Sequence, residues 1–406
     1  MSAPRLKVLM MASSYPRAAE DTASIFLRYL AESLARRSHD IQVLVPAEAE
    51  GGVRLEGNVR VHRFRYLPAK WQTLAYGSGI MPNLRRAPWL WAEVPFFTAA
   101  MTAALLRLVR SERPDVVHAH WLLPQGLVAL PAKYFFGVPV VTSAHGTDAF
   151  ALSGPLPRRL KRLVVTKSDA WTSNTTATSA AVGEGASYPA PHIIPMGVDI
   201  DRFSAGDGRG LRRGMGEDGL VLLFVGRLVA EKGCHDLLRA YAMMSPALRA
   251  RTHLWFVGDG DQRTALERRA ADLPEAARVR FWGTVDHGRL PDFYAAADLV
   301  AAPSLNIEGQ SVVLLEAFAA ARCVIAARTG GIAQVVEDNR TGRLVEAGDL
   351  EQLARGIEAL LCDQALRMEL AQNARASVQD YSWDKIAARF EELYRQIRNV
   401  NKTGNV

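Results

Sequence analysis

Three loops of the sequence combine charged side chains with glycine directly after short apolar runs. In the first loop, Gly226 and Arg227 follow the run Leu220–Val225, and Lys232 stands five positions after Arg227. A glycine at a strand end permits close approach of the backbone, and cations beside a helix start favour an anionic ligand. The pattern therefore predicts a diphosphate site, and a solvated basic surface is the alternative interpretation.

The second loop places two glutamates on either side of a predicted helix start. Glu308 closes the loop, and Glu316 lies about one and a half turns into the helix. Between them, Gly309, Gln310 and Ser311 present backbone amides. Carboxylates accept hydrogen bonds from sugar hydroxyls, and amides at a helix start hold phosphate. The alternative is a capped helix with one exposed carboxylate, although the neighbours of Glu316 are nearly all apolar.

The third loop contains His145, Gly146 and Asp148, again at a strand end. We predict that His145 forms a hydrogen bond with a substrate and that Asp148 is a second candidate ligand. A structural histidine bonded to a nearby carbonyl is the alternative. The earlier pair His118 and His120 has the spacing of metal ligands, but no matching carboxylate or cysteine cluster accompanies it, which favours packing at a strand end.

The elements that position these loops are short runs rich in Val, Ile and Leu that alternate with longer helical stretches. This alternation predicts an α/β fold with two doubly wound parallel sheets covered by helices. The predicted strands are Lys7–Met11, Ile41–Val45, Val59–Phe64, Val116–His118, Val138–Ser143, Ala170–Ser173, His192–Ile194, Leu220–Val225, His253–Val257, Val279–Trp282, Leu299–Ala302, Cys323–Ala326 and Arg343–Val345. Open parallel sheets bind ligands at the carboxyl ends of their strands, so the strand-to-helix loops should carry the functional residues.

The domain boundaries are indicated by changes in composition. Residues 195–213 are rich in glycine and aspartate and contain no long apolar run, which predicts a linker. We therefore predict a first domain over residues 1–196 and a second over residues 197–380. Residues 381–406 contain a last amphipathic helix that we expect to pack back on the first domain. Two such domains facing each other would place a cleft between them.

The composition excludes several classes of protein. The chain has 406 residues, of which 49% are hydrophobic and 22% charged, and this excludes wholesale disorder and a polytopic membrane protein. The longest apolar run, Val94–Leu106, has 13 residues and is predicted to be too short to span a bilayer. No secretory signal is visible, so a cytoplasmic protein is expected. Cys234, Cys323 and Cys362 lack CxxC spacing, which favours reduced core thiols over a zinc site or disulfides.

The net charge of +7 lies entirely in the first half of the chain. Residues 1–205 hold 23 Lys and Arg against 15 Asp and Glu, whereas residues 206–406 hold 26 against 27. A one-sided basic surface indicates an anionic partner, such as a lipid headgroup or a phosphate-bearing acceptor. Nucleic acid is a less expected partner, because no nucleic-acid module is recognisable.

A stretch of the first domain interleaves cations with aromatic residues beside the apolar helix predicted at 94–108. It includes Arg85, Arg86, Trp89 and Trp91. Such a stretch fits peripheral attachment to the inner face of an anionic membrane, and it fits a core helix flanked by a solvated loop equally well. A second basic group, which could lie near the first, consists of Arg158, Arg159, Lys161 and Arg162.

The segments HGTD, IPMGVDIDRF, VGRLVAEKG and EGQSVVLLEAF, in this order and spacing, resemble the nucleotide-sugar glycosyltransferases of family 4. The resemblance covers nearly the whole chain. It implies the GT-B fold, in which two Rossmann-like domains, the acceptor-side domain first and the donor-binding domain second, face each other across a cleft. It also implies a retaining transfer without a bound metal or cofactor. No protein nucleophile is assigned, because in the mechanism usually proposed for the family the leaving diphosphate helps to deprotonate the attacking hydroxyl.

The resemblance also assigns roles to individual residues. Arg227 and Lys232 would bind the donor diphosphate, Glu308 the hydroxyls of the donor sugar, Glu316 the ribose and His145 the sugar, and the implied donor site also includes Asp148, Gly226, Gly309, Gln310 and Ser311. Three features depart from the family pattern, and one of them is Met196, which stands in the linker where Asn is usual. The loop 13–25 has no glycine, where family members commonly carry a glycine pair. Gln310 and Ser311 stand where Phe or Leu and then Gly or Pro are usual.

We therefore expect an enzyme of glycan or glycoconjugate synthesis that uses a UDP-sugar, with a GDP-sugar as the alternative donor. The acceptor is predicted to be a hydroxyl group, and a lipid-linked acceptor is one candidate. A nucleotide-sugar 2-epimerase of the same fold and a non-catalytic two-lobed sugar-binding protein are the alternative functions. Two triplets, Asp199–Asp201 and Asp259–Asp261, could chelate a divalent cation but are interpreted as turns.

Overall fold

The computed structural model describes residues 4–18, 21, 23–48, 50–77, 79–150, 152, 154–183, 188–215, 218–306 and 309–403. The chain divides into two compact units. Unit 1 comprises residues 1–196 and 383–406, and unit 2 comprises residues 197–382. The sequence places the two boundaries at 196/197 and 380/381, and the structure places them at 196/197 and 382/383.

Unit 1 is built on an eight-stranded sheet. Its strands are β1 (Lys7–Met11), β2 (Asp40–Pro46), β3 (Gly52–Glu56), β4 (Val59–Phe64), β5 (Val116–His120), β6 (Val140–Ala144), β7 (Ala170–Ser173) and β8 (His192–Ile193). They lie in the order β3-β4-β2-β1-β5-β6-β7-β8, and all pairs are parallel except β3 with β4. The chain adds β2 to β4 on one side of β1 and β5 to β8 on the other, so the strand order reverses between β1 and β5. The carboxyl ends of these two strands therefore form a switch point, where ligands bind in such sheets.

Unit 2 is built on six parallel strands. They are β9 (Leu220–Val225), β10 (Thr252–Val257), β11 (Val279–Gly283), β12 (Leu299–Ala302), β13 (Cys323–Ala327) and β14 (Arg343–Val345). Their order is β11-β10-β9-β12-β13-β14, with the switch point between β9 and β12. The predicted α/β class with two doubly wound sheets is confirmed.

Helices connect the strands of both units. They are α1 (Ile25–Arg36), α2 (Ile80–Arg86), α3 (Val94–Glu112), α4 (Leu127–Phe136), α5 (Thr147–Phe150), α6 (Pro155–Lys167), α7 (Thr176–Val182), α8 (Ile200–Ser204), α9 (Gly208–Met215), α10 (Cys234–Met243), α11 (Pro246–Arg249), α12 (Arg263–Ala271), α13 (Leu290–Ala296), α14 (Val312–Ala319), α15 (Ile332–Val335), α16 (Leu350–Cys362), α17 (Gln364–Ser377) and α18 (Trp383–Thr403). Short 3₁₀ turns occupy Ala69–Trp71, Pro88–Ala92, Ala230–Lys232, Ala276–Arg278 and Val378–Tyr381, and a π turn occupies Leu122–Gly126.

Both sheets are covered on both faces, as the near-continuous apolar character of their strands predicts. On β1, Val8 and Met10 pack in a cluster with residues of α1 and α18. Leu9 and Met11 pack on the opposite face with residues of α3 and α4. Successive side chains of a strand point to opposite faces, so one short apolar run contributes to two cores.

The last helix of the chain, α18, belongs to unit 1. Its buried residues Ile386, Phe390 and Tyr394 recur every four positions and join the core cluster that contains α1. The Tyr394 hydroxyl lies 2.6 Å from Nδ1 of His118 on β5. Arg37 Nε, after α1, donates to Glu391 Oε2 at 2.7 Å. These contacts fasten the end of the chain to the first unit.

Two predictions about local structure are wrong. The strand β3 was not predicted, because its side chains, including Val53 and Leu55, are exposed at the sheet edge and supply no buried apolar run. The linker predicted over residues 195–213 instead contains α8 and α9. Ile200 and Phe203 of α8 are buried in the core of unit 2, where two well-spaced apolar residues are enough to hold a short helix.

The prediction that the three cysteines are core thiols is correct for two of them. Cys234 and Cys323 are buried, but Cys362 is exposed. Cys362 is the last residue of α16, and the apolar stripe of that helix passes through Leu360 and Leu361 instead.

The stretch Pro88–Glu112 is the one segment of the described residues with the length and apolar composition of a membrane-crossing helix. It has 25 residues and contains an 18-residue window with a mean hydropathy of 1.4, so by length and composition the prediction that this region is too short to span is wrong, because it counts only the uninterrupted apolar run. A core helix of a soluble protein can pass the same test. Here, only 22% of the apolar window is buried, along a stripe of Phe97, Met101, Leu105 and Val109.

Candidate functional site

The two charged loops of unit 2 lie side by side at its switch point. They follow β9 and β12, which are hydrogen-bonded neighbours in the sheet. The amide of Leu305 in one loop donates to the carbonyl of Glu231 in the other at 2.9 Å. The sheet order therefore brings together the two segments that the sequence analysis selected independently.

Glycine makes this close approach of the two loops possible. Gly233 has a φ of 67°, and a Cβ atom added to it would lie 1.9 Å from the carbonyl oxygen of Pro303. Gly226, at the end of β9, has a φ of 149°. Next to these glycines, Arg227 is exposed and Lys232 is half-buried in the 3₁₀ turn before α10. Both predicted diphosphate ligands thus lie at the carboxyl edge of the sheet.

The amides predicted to bind phosphate precede α14. Gly309 and Gln310 are half-buried, and Ser311 is a buried residue directly before the first residue of the helix. Glu308 lies outside the described residues, so its contact with the donor sugar stays a prediction. The roles of Gly309, Gln310 and Ser311 also stay predictions, although their position at a helix start is the one expected.

Glu316 is buried inside unit 2 beside two polar side chains. It is the fifth residue of α14 and only 8% exposed. Its Oε2 accepts a hydrogen bond from the Tyr294 hydroxyl at 2.6 Å, and its Oε1 lies 3.9 Å from His287 Nε2. Burial raises the pKa of Glu316 to about 7, and the Tyr294 hydrogen bond opposes this shift. The carboxyl group therefore titrates near neutral pH.

Neighbouring aromatic residues fix the partners of Glu316. The Tyr294 ring packs edge-on against Phe203 of α8 at 5.5 Å, and Phe203 also contacts the His287 ring at 6.0 Å. Burial, and then the charge of Arg202, lowers the pKa of His287 to about 4. His287 is therefore neutral at pH 7, and its approach to Glu316 is not an ion pair. The segment predicted as a linker thus supports the glutamate site.

The third loop lies at the carboxyl edge of the unit 1 sheet. His120, His145 and Asn174 end or follow the adjacent strands β5, β6 and β7. His145 Nε2 lies 3.0 Å from His120 Nδ1, and the two rings stack at 5.2 Å. Phe26 covers the His145 ring at 4.9 Å. His145 is thus held in one orientation by its neighbours.

Asp148 joins two loops of unit 1 through its carboxylate. Oδ2 accepts from the Leu122 amide at 2.7 Å, and Oδ1 accepts from the His145 amide at 3.0 Å. Burial raises the pKa of Asp148, while these amide hydrogen bonds lower it. In this structure Asp148 orients the His145 backbone, and its contact with the donor stays a prediction.

The basic and aromatic stretch of unit 1 presents a group of exposed side chains. Trp71, Trp89, Trp91 and Phe96 are 56–75% exposed, and Arg85 and Arg86 are exposed beside them in sequence. We call these six residues the aromatic-basic surface. In the second predicted basic group, Lys161 does not belong to the surface: it is buried, and its Nζ donates to the Ala149 carbonyl at 2.9 Å.

The two acidic triplets are engaged in local contacts. Asp199 caps α8 by accepting a hydrogen bond from the Arg202 amide at 3.1 Å. Asp259 accepts from the Gly260 amide and pairs with Arg263 at 2.9 Å. Within the described ranges, no group of three or more His, Cys, Asp or Glu side chains is arranged to hold a metal ion.

Sequence reasoning missed several residues that shape these sites. The sequence predicts only that Tyr294 and Phe203 are ordinary core aromatic residues, because nothing in it links them to Glu316. His287 stands in a turn without any motif. Asn174, by contrast, directly follows a correctly predicted strand, so the rule that ligands lie at strand ends could have identified it.

Comparison with known proteins gives matches over both units. Residues 23–202 match the family model described as Glycosyltransferase Family 4, and residues 212–377 match the model Glycosyl transferases group 1. The chain is 36% identical over 317 residues to a D-inositol 3-phosphate glycosyltransferase of Geodermatophilus obscurus, which covers 72% of this chain and 69% of the relative.

Two solved structures have the same fold over nearly the whole chain. Sucrose-phosphate synthase from Thermosynechococcus elongatus matches with a TM-score of 0.80 and 23% identity, covering 98% of this chain and 100% of its own. The Anabaena protein HepE, in complex with UDP-glucose, matches with a TM-score of 0.72 and 23% identity, covering 97% of this chain and 100% of its own.

Proposed function

We propose that this chain, which belongs to the nucleotide-sugar glycosyltransferases of family 4 with the GT-B fold, transfers a sugar from a UDP-sugar to a hydroxyl acceptor with retention of anomeric configuration. One observation carries the proposal: the loops with Arg227, Lys232 and the amides before α14 adjoin at the switch point of unit 2. The UDP-glucose bound by HepE supports a UDP-sugar, and a GDP-sugar is the alternative.

Charge on the leaving diphosphate is the main problem that such a transfer must solve. Arg227, Lys232 and the amides of Gly309 to Ser311 supply positive charge and hydrogen-bond donors at one edge of the sheet. Each preorganised donor of this kind is worth about 3 kcal/mol of transition-state stabilisation. With these donors present, we propose that no metal ion is required. The leaving diphosphate itself then takes the proton of the attacking hydroxyl.

Glu316 is proposed to bind the ribose of the donor. Its Oε2 already accepts from Tyr294, so Oε1 is the oxygen left for a ribose hydroxyl. His145 retains the predicted role of contacting the sugar, and Glu308 that of binding the sugar hydroxyls. The phosphorylated inositol in the name of the Geodermatophilus relative supports a hydroxyl acceptor.

A donor panel tests this proposal. Thermal shift and hydrolysis are measured with UDP-, GDP- and ADP-sugars, and we expect stabilisation and slow release of UDP from the UDP-sugars. Lys232→Ala should reduce the thermal shift, and Arg239→Ala on the exposed face of α10 is the matched control that should keep it. An epimerised nucleotide sugar, formed without loss of the sugar, would instead identify a 2-epimerase. Equal responses to all nucleotides would contradict the proposal.

We also propose that unit 1 attaches to anionic membranes through the aromatic-basic surface and that the acceptor is lipid-linked. The observation that supports this proposal is that Trp89 and Trp91 are 75% and 56% exposed and that Arg85 and Arg86, close to them in sequence, are exposed too. Exposed indole rings favour the membrane interface, and each cation adds about 1 kcal/mol near an anionic surface. The proposed location is the inner face of the cytoplasmic membrane.

Sedimentation with anionic vesicles tests the attachment. Binding should fall steeply with salt, because charge attraction is screened within ~10 Å at 0.1 M. Trp89→Ala with Trp91→Ala should lower binding even at low salt. The exposed aromatic pair Tyr134 and Phe135 at the end of α4 provides the control, since its double alanine variant should bind as the wild type does. Absence of wild-type binding at low salt would indicate a soluble acceptor.

A further inference from the structure

The strand β3 forms one outer edge of the sheet in unit 1. It is the first strand in the sheet order and pairs with β4 on one side. Four of its five residues are exposed, and the fifth, Glu56, is half-buried. Within the described part of the chain, no segment pairs with the other side of β3. An edge of this kind is a template for pairing with another strand.

The ladder between β3 and β4 shows which backbone groups face outward. A turn at residues 57–58 joins the two strands, and Glu56 and Val59 form the closing pair. The closing pair of a two-residue turn exchanges both backbone hydrogen bonds, and such pairs alternate along the ladder with pairs that exchange none. The N–H and C=O groups of Val53 and Leu55 therefore point away from β4, towards the outer side.

Most of the features that protect sheet edges are missing from β3. It contains no proline, and its register with β4 runs from Gly52 to Glu56 without a bulge. The side chains of Val53 and Leu55 lie on one face of the strand and are 59% and 73% exposed. Charges are the remaining protection, but Arg54 and Glu56 have opposite signs. They therefore repel a partner strand only in some registers.

The two charges favour a second copy of the same strand as the partner. In an antiparallel pair of β3 strands centred on Leu55, Arg54 of each copy lies opposite Glu56 of the other. Arg54 makes no ion pair within the described part of the chain. Glu56 Oε1 accepts from Arg63 Nη2 at 3.0 Å, which leaves its Oε2 for a second cation. The outward groups of the two Leu55 residues bond to each other in this register, and Arg54 and Glu56 form the closer, non-hydrogen-bonded pairs.

Neighbouring registers fit less well. A pair centred on Arg54 places the two Arg54 side chains opposite each other, and like charges at that position are destabilising. A pair centred on Val53 places Arg54 opposite Gly52, so both arginines lack a charge partner. The interface of a two-fold dimer must be complementary to itself, and β3 meets this condition in the register centred on Leu55.

We propose that two copies of this chain form a two-fold symmetric dimer through antiparallel pairing of their β3 strands, centred on Leu55. The pairing joins the two eight-stranded sheets into one continuous sheet and places Val53 and Leu55 of both copies together on one face. One pair of short strands buries little surface, so the dimer belongs to the weak class of interfaces and dissociates on dilution. The proposal is independent of the proposed transfer reaction, because β3 carries none of the proposed donor ligands.

Sedimentation velocity over a concentration series tests the dimer and its charge pairs. Wild-type protein should form dimers that dissociate on dilution. Arg54→Glu places like charges opposite each other at two positions and should raise the dissociation constant of the dimer roughly tenfold. A mixture of Arg54→Glu and Glu56→Lys chains should dimerise again, since each opposing pair then has opposite signs. Arg159→Glu, on the exposed face of α6 at the far side of the sheet, is the matched control and should dimerise as the wild type does.

Two further variants test the backbone pairing and its register. Leu55→Pro removes an N–H that faces outward and leaves the bonds to β4 in place, so the chain should fold but stay monomeric. In a Cys362→Ser background, Leu55→Cys should give a disulfide-linked dimer on mild oxidation, because opposed Cα atoms about 5.5 Å apart permit a disulfide. Val53→Cys should give none, since its two Cα atoms are roughly 13 Å apart along the paired strands.

Wild-type protein that is monomeric at every concentration would overturn the proposal. A dimer that neither Arg54→Glu nor Leu55→Pro weakens would also overturn it, and cross-linking through Val53→Cys instead of Leu55→Cys would overturn the register. If the dimer forms as expected while no UDP-sugar is turned over, the proposed transfer reaction is wrong and the pairing of β3 stands.

Discussion

The raised pKa of Glu316 predicts that removing its charge stabilises unit 2 at neutral and alkaline pH. Glu316→Gln keeps the size of the side chain and an oxygen that accepts from Tyr294, but it cannot ionise. The carboxyl of Glu316 is buried, and the Tyr294 hydroxyl donates a hydrogen bond to it at 2.6 Å. An amide in the same place has no charge to desolvate.

The magnitude follows from the two pKa values. The ordinary pKa is 4.5, and burial raises it in the folded protein to about 7. Between these pH values the folded protein holds a proton that the unfolded chain has lost, so its free energy of unfolding falls as the pH rises. The difference between the two pKa values corresponds to about 3 kcal/mol in the free energy of unfolding. The wild-type protein has lost this stabilisation by about pH 7 and does not regain it at higher pH. Glu316→Gln cannot ionise, so its stability does not fall in this way.

Calorimetric unfolding at pH 5 and pH 8 tests the prediction. The free energy of unfolding of Glu316→Gln should exceed that of the wild type only slightly at pH 5 and by about 3 kcal/mol at pH 8. At pH 8 this corresponds to a rise of roughly 6–12 °C in Tm for a unit of this size. Glu351→Gln is the control, because Glu351 is exposed on α16 and should change stability by less than about 0.5 kcal/mol at either pH. A difference between Glu316→Gln and wild type that does not depend on pH would refute the reasoning.

Three further predictions concern the donor site. Lys232→Ala should weaken UDP binding by about 1.5–3 kcal/mol through loss of a charge-assisted contact, measured by calorimetry, and unchanged affinity would remove Lys232 from the site. Gly233→Ala should cost at least about 2 kcal/mol, because it adds a clash with Pro303 to the strain of a positive φ. In a thermal scan, Gly348→Ala, with a φ of 81° and open space, should cost only about 1 kcal/mol, and equal losses would contradict the clash. EDTA should leave most of the transfer activity, and activity that depends on added manganese or magnesium would return Asp259 to consideration as a ligand.

The sequence predicts the architecture well where burial is strong. Strands β1, β4, β7, β9, β12 and β14 begin and end at the predicted residues. Among them, β9 and β12 are short, continuous apolar runs that are almost entirely buried. The exposed edge strand β3 has no such pattern. Its pairing with β4 depends on the backbone and on a turn at residues 57–58 rather than on an apolar face.

Some residues of the candidate site can be identified from the sequence, and others cannot. Arg227, Lys232 and Glu316 could be selected from the sequence because charged residues directly after, or within, apolar runs are unusual. The partners of Glu316 could not, since Tyr294 is 22 residues away and reaches the glutamate only through the packing of α13 on α14. The sequence predicts only a packing role for His120, because its pairing with His145 across two strand ends cannot be derived from spacing alone.

The most direct test of the central claim is proton NMR of the sugar during its transfer from a UDP-sugar, recorded before the released sugar equilibrates. With EDTA present, we predict UDP release and a first product with the same anomeric configuration as the donor. A first product of inverted configuration would contradict the retaining mechanism. A strict requirement for a divalent cation would contradict the assignment of the diphosphate charge to Arg227, Lys232 and the amides before α14.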